Sequence, residues 1–162
     1  MMQAATAVNP PIIENIPEQL TERPQWVNWQ LEERDDKYTK VPYSPLSFER
    51  ASSTDLMTWA PFEDALAALV VANFDGIGFV FCSADPYSGI DLDKCRNPET
   101  GVVDAWAQKI IDSVSEGYVE VSPSETGIHI IVRGVVRGGS VKKGCVEMYS
   151  RDRFFTMTGK TL

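Results

Sequence analysis

Apolar and polar residues alternate along this chain with two different periods, and the points where the period changes mark its elements. Residues 25–31 and 38–43 alternate with period two and predict a β-hairpin, joined by the charged turn Glu32-Glu33-Arg34-Asp35-Asp36. Trp26 and Trp29 fall on opposite faces of the first strand, one in the core and one beneath a helix or loop. Pro42 and Pro45 end the second strand. Pro61 opens a helix in which Phe62, Ala65, Leu66 and Leu69 form a stripe as far as Ala72. Residues 76–81 are a glycine-flanked buried strand. Residues 87–93 are its expected partner, with Ile90 and Leu92 turned to the core, opposite Gly89, Asp91 and Asp93. A second helix is predicted over 103–114, with Val103, Trp106, Ile110 and Val114 on one face. Strands follow at 118–121, 128–133, 146–149 and 154–158, the last two as a hairpin, and Gly138-Gly139 marks a turn before them. Strands outnumber helices and short turns join most of them. The expected class is α+β, an antiparallel or mixed sheet with helices on one side.

The length of 162 residues suits one domain with a sizeable core, expected over 14–162 after a flexible lead-in at 1–13 that carries Asn9-Pro10-Pro11. With 43% hydrophobic and 23% charged residues, the composition is that of a soluble globular protein. No apolar run reaches the ~20 residues that span a bilayer, and no secretory leader is visible. Cys82, Cys95 and Cys145 are odd in number and lack C-x-x-C spacing, which fits a reducing cytoplasm better than a disulfide framework or a zinc site. The net charge is −8, yet its distribution is uneven. Residues 133–160 carry Arg133, Arg137, Lys142, Lys143, Arg151, Arg153 and Lys160 against only Glu147 and Asp152. A basic C-terminal quarter on an acidic body points to one anion-binding face.

The chemistry concentrates in three places. Asp91-Leu92-Asp93 sets two carboxylates at i, i+2, on one side of a strand, where they can clasp a hard divalent cation. It is not an EF-hand loop: position six is Arg96 where glycine is needed, and position twelve is Val102 where glutamate is needed. Ser122-Pro123-Ser124-Glu125-Thr126-Gly127 is a hydroxyl-rich turn able to offer N–H and O–H donors to phosphate. It leads into His129, the sole histidine, which projects away from Ile128 and Ile130. Glu147 alternates with Val146 and Met148 and can complete a three-carboxylate site suited to Mg²⁺ or Mn²⁺. Arg151 and Arg153 stand at the following turn, placed to neutralise phosphate.

Taken in order, hydrophobic strand–Asp-x-Asp, serine-rich turn–His, and hydrophobic–Glu strand–Arg resemble the three motifs of the archaeo-eukaryotic primase superfamily. The likeness is nearest to the primase–polymerase domains of phage and plasmid replication proteins. Val41-Pro42-Tyr43, Ala51-Ser52-Ser53-Thr54, Gly76-Ile77-Gly78-Phe79-Val80, Thr126-Gly127-Ile128-His129 and Arg153-Phe154-Phe155-Thr156 extend it from about Pro17 to the C-terminus. The resemblance implies an RNA-recognition-motif-like sheet and a two-metal Mg²⁺ or Mn²⁺ site on Asp91, Asp93 and Glu147. It implies a nucleotide contact by His129 with Ser122, Ser124 and Arg153, and Phe154 against the sugar, disfavouring a 2′-hydroxyl. Many members carry Asp in the third carboxylate place, where this chain has Glu147. Lys40, Arg50, Lys142, Lys143 and Arg151 are candidate DNA contacts. The expected reaction is template-directed nucleotidyl transfer in phage or plasmid DNA replication, with primer extension ahead of de novo priming. The expected substrates are a nucleoside triphosphate and a single-stranded template with primer. A helicase domain or partner is expected outside the chain, with no membrane association. Two other classes use the same residues: a metal-dependent nuclease, although no Lys stands two residues after Glu147, and a non-catalytic nucleotide- or DNA-binding module. Strand cleavage measured against pyrophosphate release separates them.

Overall fold

A computed structural model describes residues 8–162, so the expected lead-in falls partly outside the described residues. After a short helix α1 (Glu18–Thr21), β1 (Trp26–Arg34) and β2 (Lys37–Tyr43) form the predicted hairpin. Its strands run further than their apolar alternation. The turn is only Asp35-Asp36, both at positive φ (49° and 61°), the geometry of a tight two-residue hairpin turn. Helix α2 (Phe62–Val71) follows Pro61 and buries Phe62, Ala65 and Ala68, with Leu66 and Leu69 packed beside them. Then come β3 (Gly76–Phe81), β4 (Tyr87–Leu92), helix α3 (Ala105–Ser113), β5 (Gly117–Val121), β6 (Ile128–Arg133), β7 (Ser140–Lys143), β8 (Val146–Tyr149) and β9 (Arg153–Met157).

The α+β class holds, but the strands divide between two antiparallel sheets in place of one: β2-β1-β3-β9 and β5-β6-β4-β8-β7. Two expected pairings are therefore corrected. β4 does not pair with β3; it lies between β6 and β8. The short link at 82–86 looks like a hairpin turn, yet the buried Asp85 bends it from one sheet to the other. Its Oδ2 accepts from the Cys82 N–H at 2.9 Å and the Gln25 amide at 2.8 Å, and its Oδ1 accepts from the Tyr87 N–H at 2.7 Å. Likewise β8 and β9 are not a hairpin. β9 crosses back to β3, while β8 pairs with β7, an edge strand that the sequence pattern did not mark.

The sheets pack face to face. Trp26, Ile77, Phe79, Phe81, Phe155 and Met157 from the first meet Tyr87, Ile131 and Tyr149 from the second, and α1 and α2 cover the remaining apolar side. Gly89 allows the close approach: a Cβ there would sit 2.6 Å from the Phe155 ring and 2.9 Å from Phe81. The far face of the second sheet, with Ile90, Leu92, Val121, Ile128 and Ile130, is covered by α3 through Ala107, Ile110 and Ile111. The helices are thus shared between the two sheets. Trp106, expected on α3's buried face, is 38% exposed, and Ala107 occupies the core position instead.

Beyond β9 the chain closes the structure. The Val121 N–H donates to the Lys160 carbonyl at 2.8 Å, and the Ile12 N–H to the Thr158 carbonyl at 2.8 Å. Gly159 sits at φ +65°, and a Cβ there would lie 2.0 Å from the Ile12 carbonyl oxygen, so only glycine fits this crossing.

Candidate active site

The register of the five-stranded sheet brings four of the predicted residues into one row. Asp91 on β4 lies directly opposite His129 on β6 and, on its other side, opposite Glu147 on β8. The row continues to Glu120 on β5 and Lys142 on β7. Residues directly opposite each other share a face, and Ile90, Leu92, Ile128 and Ile130 claim the α3 face. The row Glu120–His129–Asp91–Glu147–Lys142 therefore turns towards the other sheet. One step along the same strands stand Asp93, whose N–H donates to the Cys145 carbonyl at 2.8 Å, and Ser122, whose N–H donates to the Gly127 carbonyl at 3.0 Å.

His129 does not lie open, as its alternation alone would allow. It is 6% exposed, its ring stacked on Phe155 with centroids 4.4 Å apart and planes 12° apart. Nε2 is 3.8 Å from Asp91 Oδ1, and Nδ1 is 3.3 Å from Glu120 Oε1. Asp91 and Glu147 are each about one-third exposed at the side chain, 32% and 29%, and Lys142 Nζ is 4.0 Å from Glu147. Burial pushes the Asp91 carboxyl above the usual carboxylate range. His129 and Lys40 pull it back, while Asp93 and Glu147 push it further up. Burial holds the Lys40 ammonium below the usual lysine range, against the pull of Asp91 and Asp93. Tyr149 is driven upward by burial first, then by Asp91 and Glu147. The site is a half-buried carboxylate group answered by few cations.

Among the described residues, no three His, Cys, Asp or Glu side chains come close enough together to form a ready-made metal cage. The donor chemistry nevertheless suits a hard divalent cation. Asp91, Asp93 and Glu147 are oxygen donors whose mutual repulsion a bound cation relieves.

The remaining candidates spread out. Ser122 Oγ accepts from the Gly127 N–H at 3.2 Å and lies 3.0 Å from Ser124 Oγ, which in turn lies 2.9 Å from Thr126 Oγ1; the turn is a chain of hydroxyls. Ser122 is buried and Ser124 exposed. Arg153 is exposed, near enough to Tyr149 to act on its phenol. Phe154 stands on the reverse side of β9 from Phe155, against Gly78, so the aromatic that meets the row is Phe155. Lys40 belongs to the part of the β1–β2 hairpin beyond the last β1–β3 pair, Trp29 with Gly76. From there it senses Asp91 and Asp93. Arg50 is paired with Glu32 at 2.8 Å. Lys143 and Arg151 are exposed; Arg151 lies over Gly139 and 3.9 Å from Asp152. Sequence reasoning missed Glu120, although Tyr118-Val119-Glu120-Val121 alternates as Ile128-His129-Ile130 does and places Glu120 on the same kind of face.

No protein-family model matches the chain. It is 36% identical over 142 residues to a DNA Primase-polymerase of Nitratiruptor phage NrS-1, a match that takes in 84% of this chain and 19% of that protein. The chain is thus related to a segment of the phage protein and spans about a fifth of its length.

Proposed function

We propose that this chain is the catalytic core of a primase–polymerase, which extends a primer along a DNA template by nucleotidyl transfer. The primer 3′-oxygen attacks the α-phosphorus of a nucleoside triphosphate, the bond to the β-phosphate breaks, pyrophosphate leaves, and the hydroxyl proton passes to solvent. The single observation that carries this is Asp91 standing between His129 and Glu147 in one row of a rigid sheet. The 36% identity to the phage primase-polymerase over 142 residues supports the reading.

Asp91, Asp93 and Glu147 are the residues to hold Mg²⁺ or Mn²⁺. When bound, such ions supply charge neutralisation on the phosphates and acidify the attacking hydroxyl. The chain's own groups do the rest. His129, through Nε2, and the Ser122–Ser124 hydroxyls line up the triphosphate, with Arg153 at the margin. Phe155 holds the histidine ring and excludes water from its face. Lys40, expected on the template, serves the carboxylates instead, because its charge lies where Asp91 and Asp93 feel it. Lys143, exposed and with no carboxylate within 4.0 Å among the described residues, takes the template phosphates first, with the exposed Lys142 and Arg151 beside it.

The test is primer extension on a primed template with Mn²⁺ and deoxynucleoside triphosphates. Asp91→Ala and Asp93→Ala each lower the rate by about a hundredfold or more. Extension at the wild-type rate by either variant refutes the assignment. Strand cleavage without pyrophosphate release would make the chain a nuclease.

A further inference from the structure

Glu120 has no solvent exposure at all. Its carboxyl group accepts from the Tyr118 hydroxyl at 2.7 Å, the Thr158 N–H at 3.0 and 3.1 Å, and the Gly159 N–H at 2.9 Å. The fourth neighbour is His129 Nδ1, at 3.3 Å from Oε1. On the opposite side of the ring Nε2 faces Asp91 at 3.8 Å, and the ring plane rests on Phe155.

Stacking on Phe155 fixes the plane of the imidazole but is indifferent to a half-turn of the ring, which would exchange the edges that carry the two nitrogens. Hydrogen bonding is not indifferent. A carboxylate only accepts, so the nitrogen against Glu120 must carry a proton. We propose that Glu120 is a positioning residue: it ties Nδ1–H of His129 and so presents Nε2, and only Nε2, to Asp91 and to the triphosphate in the cleft. This rests on the nucleotidyl-transfer reading of the site. Such a partner behind a functional histidine sets the ring's orientation without touching substrate. Because Glu120 also holds Thr158 and Gly159, the C-terminal segment and the histidine share one anchor. Glu120→Gln tests the arrangement with little change in shape. It leaves one acceptor oxygen where two now serve four donors, so the ring competes with two backbone N–H groups.

The chain has a single histidine, so ¹⁵N NMR of the ring nitrogens reads this imidazole without ambiguity. In the unliganded wild type Nδ1 is found protonated; an unprotonated Nδ1 overturns the proposal. Kinetics supplies the second arm, with dATP on a primed template in Mn²⁺. Glu120→Gln raises KM for dATP about tenfold with a smaller change in kcat. The double variant Glu120→Gln/His129→Ala is no worse than His129→Ala, because both remove the same contact. Effects that multiply mean that Glu120 serves only the C-terminal anchor, and the proposal falls. If His129→Ala leaves KM for dATP unchanged, the functional reading fails as well, an outcome distinct from multiplicative effects. Should Glu120→Gln not fold, the wild-type nitrogen spectrum still decides.

Discussion

Asp91 is the residue where function works against stability. Its carboxyl is raised above 3.8 first by burial, with Asp93 and Glu147 adding to the effect. A folded-state pKa above the unfolded one means that the folded protein binds the proton more tightly. Stability is therefore lost as pH rises from 3.8 through the raised value, and the penalty stays in full at neutral pH. Asp91→Asn removes it. The variant melts at a higher Tm than wild type at pH 7 in the absence of divalent ions, and the gap closes as pH falls towards 3.8, while extension is lost. A thermal melt series against pH checks both halves. Gly89 makes the opposite case: the added methyl of Gly89→Ala meets Phe155 and Phe81 in a packed interior, which destabilises by about 1–3 kcal/mol. Denaturant unfolding measures that cost. Phe154 lies on the reverse of its strand, so Phe154→Ala leaves the ratio of deoxynucleotide to ribonucleotide incorporation unchanged.

At the scale of elements, alternation made the core strands legible because period two is a local property. Gln25 to Leu31 and Ile128 to Arg133 each contain their own evidence, and Gly76 to Phe81 reads as a buried strand from its continuous apolar run. Pairing is not local. The links at 82–86 and 150–152 are short enough for hairpins, and what turns them into crossovers includes the hydrogen bonding of Asp85 to Gln25, which is distant in sequence. β7 escaped because all four of its residues are exposed and it lacks an apolar face. The site was legible as three motifs, since spacing alone puts Asp91 with Asp93 and turns His129 and Glu147 away from their apolar neighbours. That these form one row depends on register, which the motifs do not carry. The β7–β8 edge also decides which cations can bind nucleic acid. All three are exposed, but Lys142 has Glu147 at 4.0 Å and Arg151 has Asp152 at 3.9 Å, whereas Lys143 has no carboxylate within 4.0 Å among the described residues. Lys143→Ala reduces the salt dependence of single-stranded DNA affinity by about 0.7 in log–log slope. Lys142→Ala and Arg151→Ala, each with a carboxylate neighbour, reduce it less. Fluorescence anisotropy across a salt series measures all three.

For the molecule as a whole, the two sheets hold different parts of one device. The five-stranded sheet carries the carboxylates and the histidine, while the four-stranded sheet supplies the ring beneath that histidine and Lys40, whose charge Asp91 and Asp93 feel. Neither sheet is complete without residues from far along the chain: β3 takes its second neighbour from β9, pairing Ile77 with Met157 and Phe79 with Phe155. A chain stopped at Ser150 loses β9, its Phe155 and the C-terminal partners of Glu120. It shows no cooperative melt and no near-ultraviolet dichroism from its packed aromatics.

That dependence has a consequence in time. During synthesis the carboxylates, the serine turn and the histidine all leave the ribosome before Phe155 does. Until the last strand emerges, β3 has one unpaired edge and His129 has no ring to rest on. The nascent chain therefore carries the carboxylates and the histidine before their support is in place, and β9 completes both the four-stranded sheet and the stack beneath His129.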